Sequence, residues 1–123
     1  MRVLVDTPIW IDHFQRSEPA LRELLLNDAV CVASPIVGEL IAGNLPQRKR
    51  TIADLRLLPK LAEPNPNEVF GWVELNRLGG KGLSWVDCLL LFIAEQNGVA
   101  IWTRDRVLEQ MARRLHVAYA AQY

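Results

Sequence analysis

Three short runs of aliphatic residues recur along the chain, and each predicts a buried β-strand. They occupy residues 2–5, 29–33 and 99–103 and read Arg-Val-Leu-Val, Ala-Val-Cys-Val-Ala and Val-Ala-Ile-Trp-Thr. Within each run, apolar residues follow one another without alternating with polar ones. This pattern is typical of strands covered on both faces, as in a parallel sheet between layers of helices.

Segments with apolar residues at helical spacing separate these runs. Two of them open with a hydroxyl residue followed by proline, at Thr7-Pro8 and Ser34-Pro35, which predicts an N-cap and then the first helical position. Strands that alternate with helices predict an α/β fold of three layers, α/β/α. Its mostly parallel central sheet has about four to five strands, because residues 61–63 and 117–119 are candidates for edge strands.

Composition limits the class of protein. The 123 residues predict a single domain over residues 1–123, and half of them are apolar. No apolar run approaches the roughly 20 residues that span a bilayer, so we expect no membrane partner and a cytoplasmic location. Cys31 and Cys88 lie in apolar surroundings that favour buried thiols. The 14 basic and 14 acidic residues balance, which gives no overall basic charge but does not exclude nucleic acid.

Four acidic residues lie at strand ends or in first helical turns. They are Asp6, Glu39, Asp87 and Asp105. Because the carboxyl ends of parallel strands meet at one edge of the sheet, where ligands bind in such folds, these four side chains are expected to lie near one another.

Each acid also has a purely structural explanation. Asp6 and Asp105 are placed to cap the helices that follow them, and Glu39 is placed at the polar edge of an amphipathic helix. Asp87 is placed to complete a capping box with Ser84. Taken singly, these explanations are the stronger ones, whereas four acids at one sheet edge favour a common site.

A cluster of carboxylates requires compensation by cations. Two carboxylates about 4 Å apart repel by roughly 4 kcal/mol at an effective dielectric constant of about 20. Oxygen ligands suit Mg²⁺ or Mn²⁺ rather than zinc. One or two such ions activate water and stabilise the attacking and leaving oxygens of a phosphodiester.

Four stretches of this sequence resemble, in order and spacing, the motifs of PIN-domain ribonucleases of the VapC toxin type. They are Val3-Leu4-Val5-Asp6-Thr7-Pro8-Ile9-Trp10-Ile11-Asp12, Ser34-Pro35-Ile36-Val37-Gly38-Glu39-Leu40, Leu83-Ser84-Trp85-Val86-Asp87 and Thr103-Arg104-Asp105-Arg106. The resemblance implies a PIN-like fold and hydrolysis of RNA that depends on Mg²⁺, with Mn²⁺ as a substitute. It also implies a homodimer and a cognate antitoxin.

The resemblance also implies roles for individual residues. Asp6, Glu39, Asp87 and Asp105 would be catalytic, and Thr103 and Thr7 would support them through their hydroxyls. We expect Asp6 and Asp87 to bind the principal ion, Glu39 to orient the attacking water, and Asp105 to complete a second, weaker ion position.

Basic residues near these motifs are candidates for contacts with RNA phosphates, which position RNA without reading its sequence. They are Arg104, Arg106, Lys81 and Arg48 with its neighbours.

One position departs from the family pattern. Members often carry a further Asp followed by Phe, two positions after the fourth acid, where this chain has Val107 and Leu108. The departure puts the second metal in doubt and leaves open an alternative, a PIN-fold module that binds antitoxin or RNA without cleaving it. A phosphate-accepting receiver domain, another small parallel α/β fold, fits less well because Asp6 has no adjacent acidic partner.

Overall fold

The computed structural model describes residues 2–120, which form three strands and seven helices. In chain order, the elements are β1 (Val3–Val5), α1 (Thr7–Arg16), α2 (Pro19–Leu26), β2 (Val30–Cys31), α3 (Ser34–Ala42), α4 (Arg48–Arg56), α5 (Pro66–Leu75), α6 (Trp85–Asn97), β3 (Ala100–Trp102) and α7 (Arg106–Arg114). The predicted domain of residues 1–123 also includes Met1 and residues 121–123, which lie outside the described part of the chain.

The three aliphatic runs form one parallel sheet in the order β2-β1-β3. Every residue of these strands is buried, which explains why their sequences show no alternation of apolar and polar positions. Helix α6 packs against β3 and against α3 and α5, and it contributes six buried residues to the core. The α/β class that the sequence predicts is therefore confirmed.

The edges of the sheet are shorter than predicted. Within residues 2–120, the expected strands at 61–63 and 117–119 are reduced to single parallel bridges, Val32 with Lys60 and Ile101 with Ala118. Proline explains the first case: Pro59 offers only its carbonyl to the Val32 N–H, and Pro64 follows within a few residues. In the part of the chain that the structure describes, the sheet therefore has three strands rather than four to five.

Two helices begin one residue earlier than the sequence predicted. Thr7 and Ser34 are the first residues of α1 and α3, and the N-caps are Asp6 and Ala33. The Asp6 carboxylate accepts the Thr7 N–H at 2.9 Å, so the Thr7 hydroxyl is not needed for capping. That hydroxyl instead donates a hydrogen bond across to α3, as described below.

Candidate active site

Asp6 lies at the centre of the candidate site. It follows β1, the middle strand, and its backbone N–H donates to the Trp102 carbonyl at 2.9 Å. One carboxylate oxygen, Oδ1, caps α1, and the other, Oδ2, accepts the Thr103 hydroxyl at 2.7 Å. The carboxylate is thus fixed between the first and third strands.

The environment of Asp6 opposes its negative charge. Burial raises the pKa of the Asp6 carboxyl above its ordinary value of 3.8, and the negative charges of Glu39 and Asp87 raise the same pKa further. Hydrogen bonds from Thr103 and from the Thr7 backbone lower it. The charges of Glu39 and Asp87 therefore act against ionisation of Asp6.

Glu39 is oriented by a residue from another element. Its Oε1 accepts the Thr7 hydroxyl at 2.9 Å, which joins α3 to the start of α1. Thr7 is buried, whereas Glu39 is exposed. The contact fixes one oxygen of Glu39 beside the Asp6 backbone and leaves the carboxylate facing solvent.

Asp87 has the capping role that its position predicted. Its Oδ2 accepts the Ser84 N–H at 3.0 Å, and its own N–H donates to the Ser84 hydroxyl at 3.0 Å. Within residues 2–120, Oδ1 of Asp87 accepts no hydrogen bond, so one oxygen remains available to a cation.

Asp105 is joined to the same network through Thr103. The Asp105 N–H donates to the Thr103 hydroxyl oxygen at 3.0 Å, and its Oδ1 caps α7 by accepting the Leu108 N–H at 3.1 Å. Because the Thr103 hydroxyl also donates to Asp6, one buried hydroxyl links the two acids. Asp105 does not contribute to the pKa shift of Asp6.

The donors suit a hydrated hard cation rather than a cage made by the protein alone. Among residues 2–120, no three His, Cys, Asp or Glu side chains are grouped closely enough to hold a metal ion by themselves. Mg²⁺ usually keeps several waters and is bound through one or two carboxylates. The Asp6 and Asp87 carboxylates, with repulsion between them, fit this mode of binding.

The four candidate RNA contacts occupy three kinds of surroundings. Arg104 forms ion pairs with Asp12 and Glu18. Arg48 donates to the carbonyls of Ile41 and Gly43 at the end of α3. The remaining two, Arg106 and Lys81, are exposed and form no ion pair within residues 2–120.

Comparison with known proteins identifies the fold. The PIN domain family matches residues 3–114. The chain belongs to the PIN domain family. Ribonuclease VapC32 from two strains of Mycobacterium tuberculosis is 34% identical over 121 residues, which cover 98% of this chain and 98% of that protein.

A solved structure supports the same architecture. The crystal structure of PAE2754 from Pyrobaculum aerophilum covers 94% of this chain and 96% of its own, with a TM-score of 0.59 and 16% identity. At this identity the likeness concerns the fold. The family match and the identity to VapC32 confirm the resemblance to VapC-type PIN ribonucleases that the four motifs carried.

The departure from the PIN pattern has a visible structural setting. Leu108, in the place often taken by Phe, is fully buried. Val107 is 38% exposed, and its Cγ1 would lie 3.7 Å from a side chain placed at Gly82. An aliphatic side chain beside the loop before α6 therefore occupies the position where a fifth carboxylate was expected.

Sequence reasoning missed Asp12 and Glu18. They lie 92 and 86 residues before their partner Arg104. Asp12 ends the first motif but has no role assigned to it there, and Glu18 lies outside the four motifs. A single sequence carries no signal that would pair them.

Proposed function

We propose that this protein is a metal-dependent endoribonuclease and the toxin of a type II toxin–antitoxin pair. The observation that carries the proposal is the hydrogen-bond network around Asp6 at the carboxyl end of β1, in which the Thr103 hydroxyl joins Asp6 to Asp105 and the neighbouring Thr7 hydroxyl binds Glu39. Membership of the PIN family and similarity to a protein named a ribonuclease support RNA as the substrate.

The proposed cofactor is Mg²⁺, with Mn²⁺ as a substitute, because the available donors are carboxylate oxygens. A divalent cation bound there would lower the pKa of water and stabilise the oxygens that attack and leave the phosphorus. Asp6 and Asp87 would supply the principal oxygen ligands. Asp105, held by Thr103, would complete the weaker second position.

Glu39 is proposed to accept a hydrogen bond from the attacking water and so to orient it. The Thr7 hydroxyl fixes one of its oxygens at 2.9 Å, and the exposed carboxylate leaves the other accessible to solvent. Attack in line with the leaving oxygen would give products with 5′-phosphate and 3′-hydroxyl ends. Products that carry 2′,3′-cyclic phosphate would contradict this chemistry.

Contacts with RNA phosphates are proposed for the exposed Arg106 and Lys81. Arg106 begins α7 directly after Asp105, and Lys81 lies in the loop whose Gly82 faces Val107. Both are therefore near the ends of elements that carry acids. Arg48 is a weaker candidate because its guanidinium is already bonded to backbone carbonyls.

The proposed partners are a cognate antitoxin and a second copy of the chain. Phe70 and Trp85 support a protein interface, since they are 53% and 43% exposed and their tilted rings contact each other with centroids 5.1 Å apart. No helix of residues 2–120 is long and apolar enough to cross a membrane. We propose that the pair acts in the cytoplasm, where its RNA substrates are.

An inactive module that binds antitoxin or RNA is the second candidate. Val107 favours it, because the chain lacks the carboxylate expected there. Binding of Mn²⁺ separates the two candidates, since a site that has lost its activity through lost ligands should not bind the ion tightly.

The functional test is inducible expression of the chain without antitoxin in a bacterium. Wild type is compared with Asp6→Asn and with Asp54→Asn, a control that removes an acid on α4, at matched protein levels. We expect growth arrest with wild type and Asp54→Asn, and growth with Asp6→Asn. Equal arrest by all three would show that the toxicity does not depend on the acid site.

A further inference from the structure

Arg104 connects the loop between β3 and α7 to the helices α1 and α2. Its guanidinium pairs with Asp12 on α1, and a second nitrogen pairs with Glu18 at 2.7 Å. Glu18 is the N-cap residue of α2, so the single arginine spans α1, α2 and the loop. The rigid fork of an arginine side chain suits such a contact with two carboxylates.

Glu18, the second acid that pairs with Arg104, is itself held in place. The Glu18 N–H donates to His13 Nδ1 at 3.0 Å, and Ser17 adopts a left-handed backbone with φ of 52° at the tight turn between α1 and α2. Arg104 therefore binds two acids whose backbone positions are set by α1 and by this turn.

Arg104 lies between the two residues that organise the candidate site. Thr103 donates its hydroxyl to Asp6 and accepts the Asp105 N–H, while Asp105 caps α7. The loop is thus held on its inner side by Thr103 and on its outer side by Arg104. Two acids surround the Arg104 charge, which leaves little positive field for an RNA phosphate.

We propose that Arg104 is a positioning residue that fixes Asp105 relative to Asp6 rather than a contact to RNA. The proposal rests on the proposed ribonuclease function for its kinetic test only. Arg104 and Asp12 are 41% and 54% exposed, and exposed ion pairs contribute little to global stability. The expected effect is therefore on the geometry of the loop and not on the fold.

The kinetic test compares Arg104→Ala with Arg106→Ala, which removes a nearby arginine without an ion pair in the described chain. We expect Arg104→Ala to lower kcat by roughly tenfold to a hundredfold with KM nearly unchanged, because displacement of a catalytic group by about 1 Å is enough for such a loss. We expect Arg106→Ala to raise KM and to reduce the salt dependence of RNA binding by about 0.7 in slope.

Two further variants distinguish a positioning role of Arg104 from an effect of its positive charge on RNA binding. Arg104→Lys keeps the charge but not the fork, so it should keep the salt dependence and fail to restore kcat. Asp12→Asn removes a negative charge and would improve RNA binding if charge alone mattered. We expect it to lower kcat and to add little to the effect of Arg104→Ala in the double variant.

Amide hydrogen exchange tests the proposal whether or not the protein cleaves RNA. In Arg104→Ala, the amides of Asp105 and Leu108 should exchange several-fold faster, while the Ile101 amide in β3 should be unchanged. Unchanged exchange at Asp105 and Leu108 would overturn the proposal. A raised KM with unchanged kcat and a reduced salt slope in Arg104→Ala would also overturn it, in favour of a direct RNA contact.

Discussion

Replacement of Thr103 by valine tests the network that joins the acids. Thr103 is 5% exposed, and its hydroxyl donates to Asp6 Oδ2 at 2.7 Å while it accepts the Asp105 N–H at 3.0 Å. Valine has nearly the same shape and lacks the hydroxyl, so Thr103→Val deletes both bonds without leaving a large cavity. The variant therefore isolates the polar contribution of one side chain.

The expected loss of stability in Thr103→Val depends on the negative charge of Asp6, which accepts the hydrogen bond. A hydrogen bond to a charged group contributes about 1.5–3 kcal/mol to stability. The part-buried Asp105 N–H loses its partner as well. We expect Thr103→Val to lower the free energy of unfolding by roughly 2 kcal/mol at about pH 7. For a chain of this length, that corresponds to a fall in Tm of roughly 6–10 °C.

The loss should depend on pH because the Thr103 bond favours the ionised form of Asp6. It lowers the pKa of Asp6 in the wild type, so its removal raises that pKa further above the ordinary value. The stability that this bond contributes is present while Asp6 is ionised and disappears as pH falls through its pKa. The difference between wild type and Thr103→Val should therefore shrink on acidification.

The difference in free energy of unfolding between wild type and Thr103→Val is measured by urea denaturation of metal-free protein at a series of pH values between about 7 and 4. Thr103→Ser, which keeps the hydroxyl, should retain most of the stability at every pH. Thr51→Val is a matched control, because the Thr51 hydroxyl donates to the neutral Pro46 carbonyl. A loss for Thr103→Val that is equal at all pH values would refute the coupling to Asp6.

Three other predictions concern charges and thiols. Asp87→Asn should leave the metal-free protein as stable as wild type or more stable, because it removes a charge that repels Asp6. Mg²⁺ at one hundred times its dissociation constant should stabilise wild type by about 2.7 kcal/mol, and Asp87→Asn should reduce this stabilisation. A thermal response to Mg²⁺ that is the same in wild type and variant would contradict the prediction. Burial lowers the pKa of His13, whose Nδ1 accepts an N–H, so wild type should lose stability as pH falls through 6.5 in urea denaturation, and His13→Asn should not. Burial raises the pKa of Cys31 to about 11, so mass spectrometry should find this thiol unalkylated in native protein at about pH 8. The stability that the neutral thiol contributes should be lost as pH rises between about 9 and 11. Rapid alkylation of the native protein would contradict the burial of Cys31.

The strands were predictable because an aliphatic run without alternation has few alternatives. β1 and β3 lie within the runs at residues 2–5 and 99–103. The edges were not predictable in the same way, because a segment such as 117–119 touches the sheet through one bridge, which needs no particular sequence pattern. The strand count was therefore too high although the α/β class was right.

The start of α1 was misplaced for a physical reason. A hydroxyl before proline predicts an N-cap, but the Thr7 hydroxyl has a stronger acceptor in the Glu39 carboxylate on another helix. Asp6, which precedes it, caps the helix instead. Local sequence rules do not include such a partner 32 residues away.

The sequence predicted that Asp6 and Asp105 follow neighbouring strands, but it did not predict the side chain that connects them. Parallel topology places Asp6 and Asp105 after adjacent strands, and the structure links them through Thr103. The surroundings of the basic residues could not be predicted from the sequence, since charge alone predicts the same RNA contact for Arg104 and Arg106. Only the folded chain shows that Arg104 is paired with two acids and Arg106 with none among residues 2–120. The catalytic roles of the acids stay predictions.

The most direct measurement is calorimetric titration of Mn²⁺ into the purified protein, followed by RNA cleavage with the same samples. Wild type, Asp6→Asn and the Asp54→Asn control are compared, with Mg²⁺ and with a chelator in the cleavage step. We expect wild type and Asp54→Asn to bind the ion and to cleave RNA only in its presence, and Asp6→Asn to lose both. Cleavage by Asp6→Asn at the wild-type rate, or cleavage by wild type in the chelator, would contradict a metal-dependent site at this edge of the sheet.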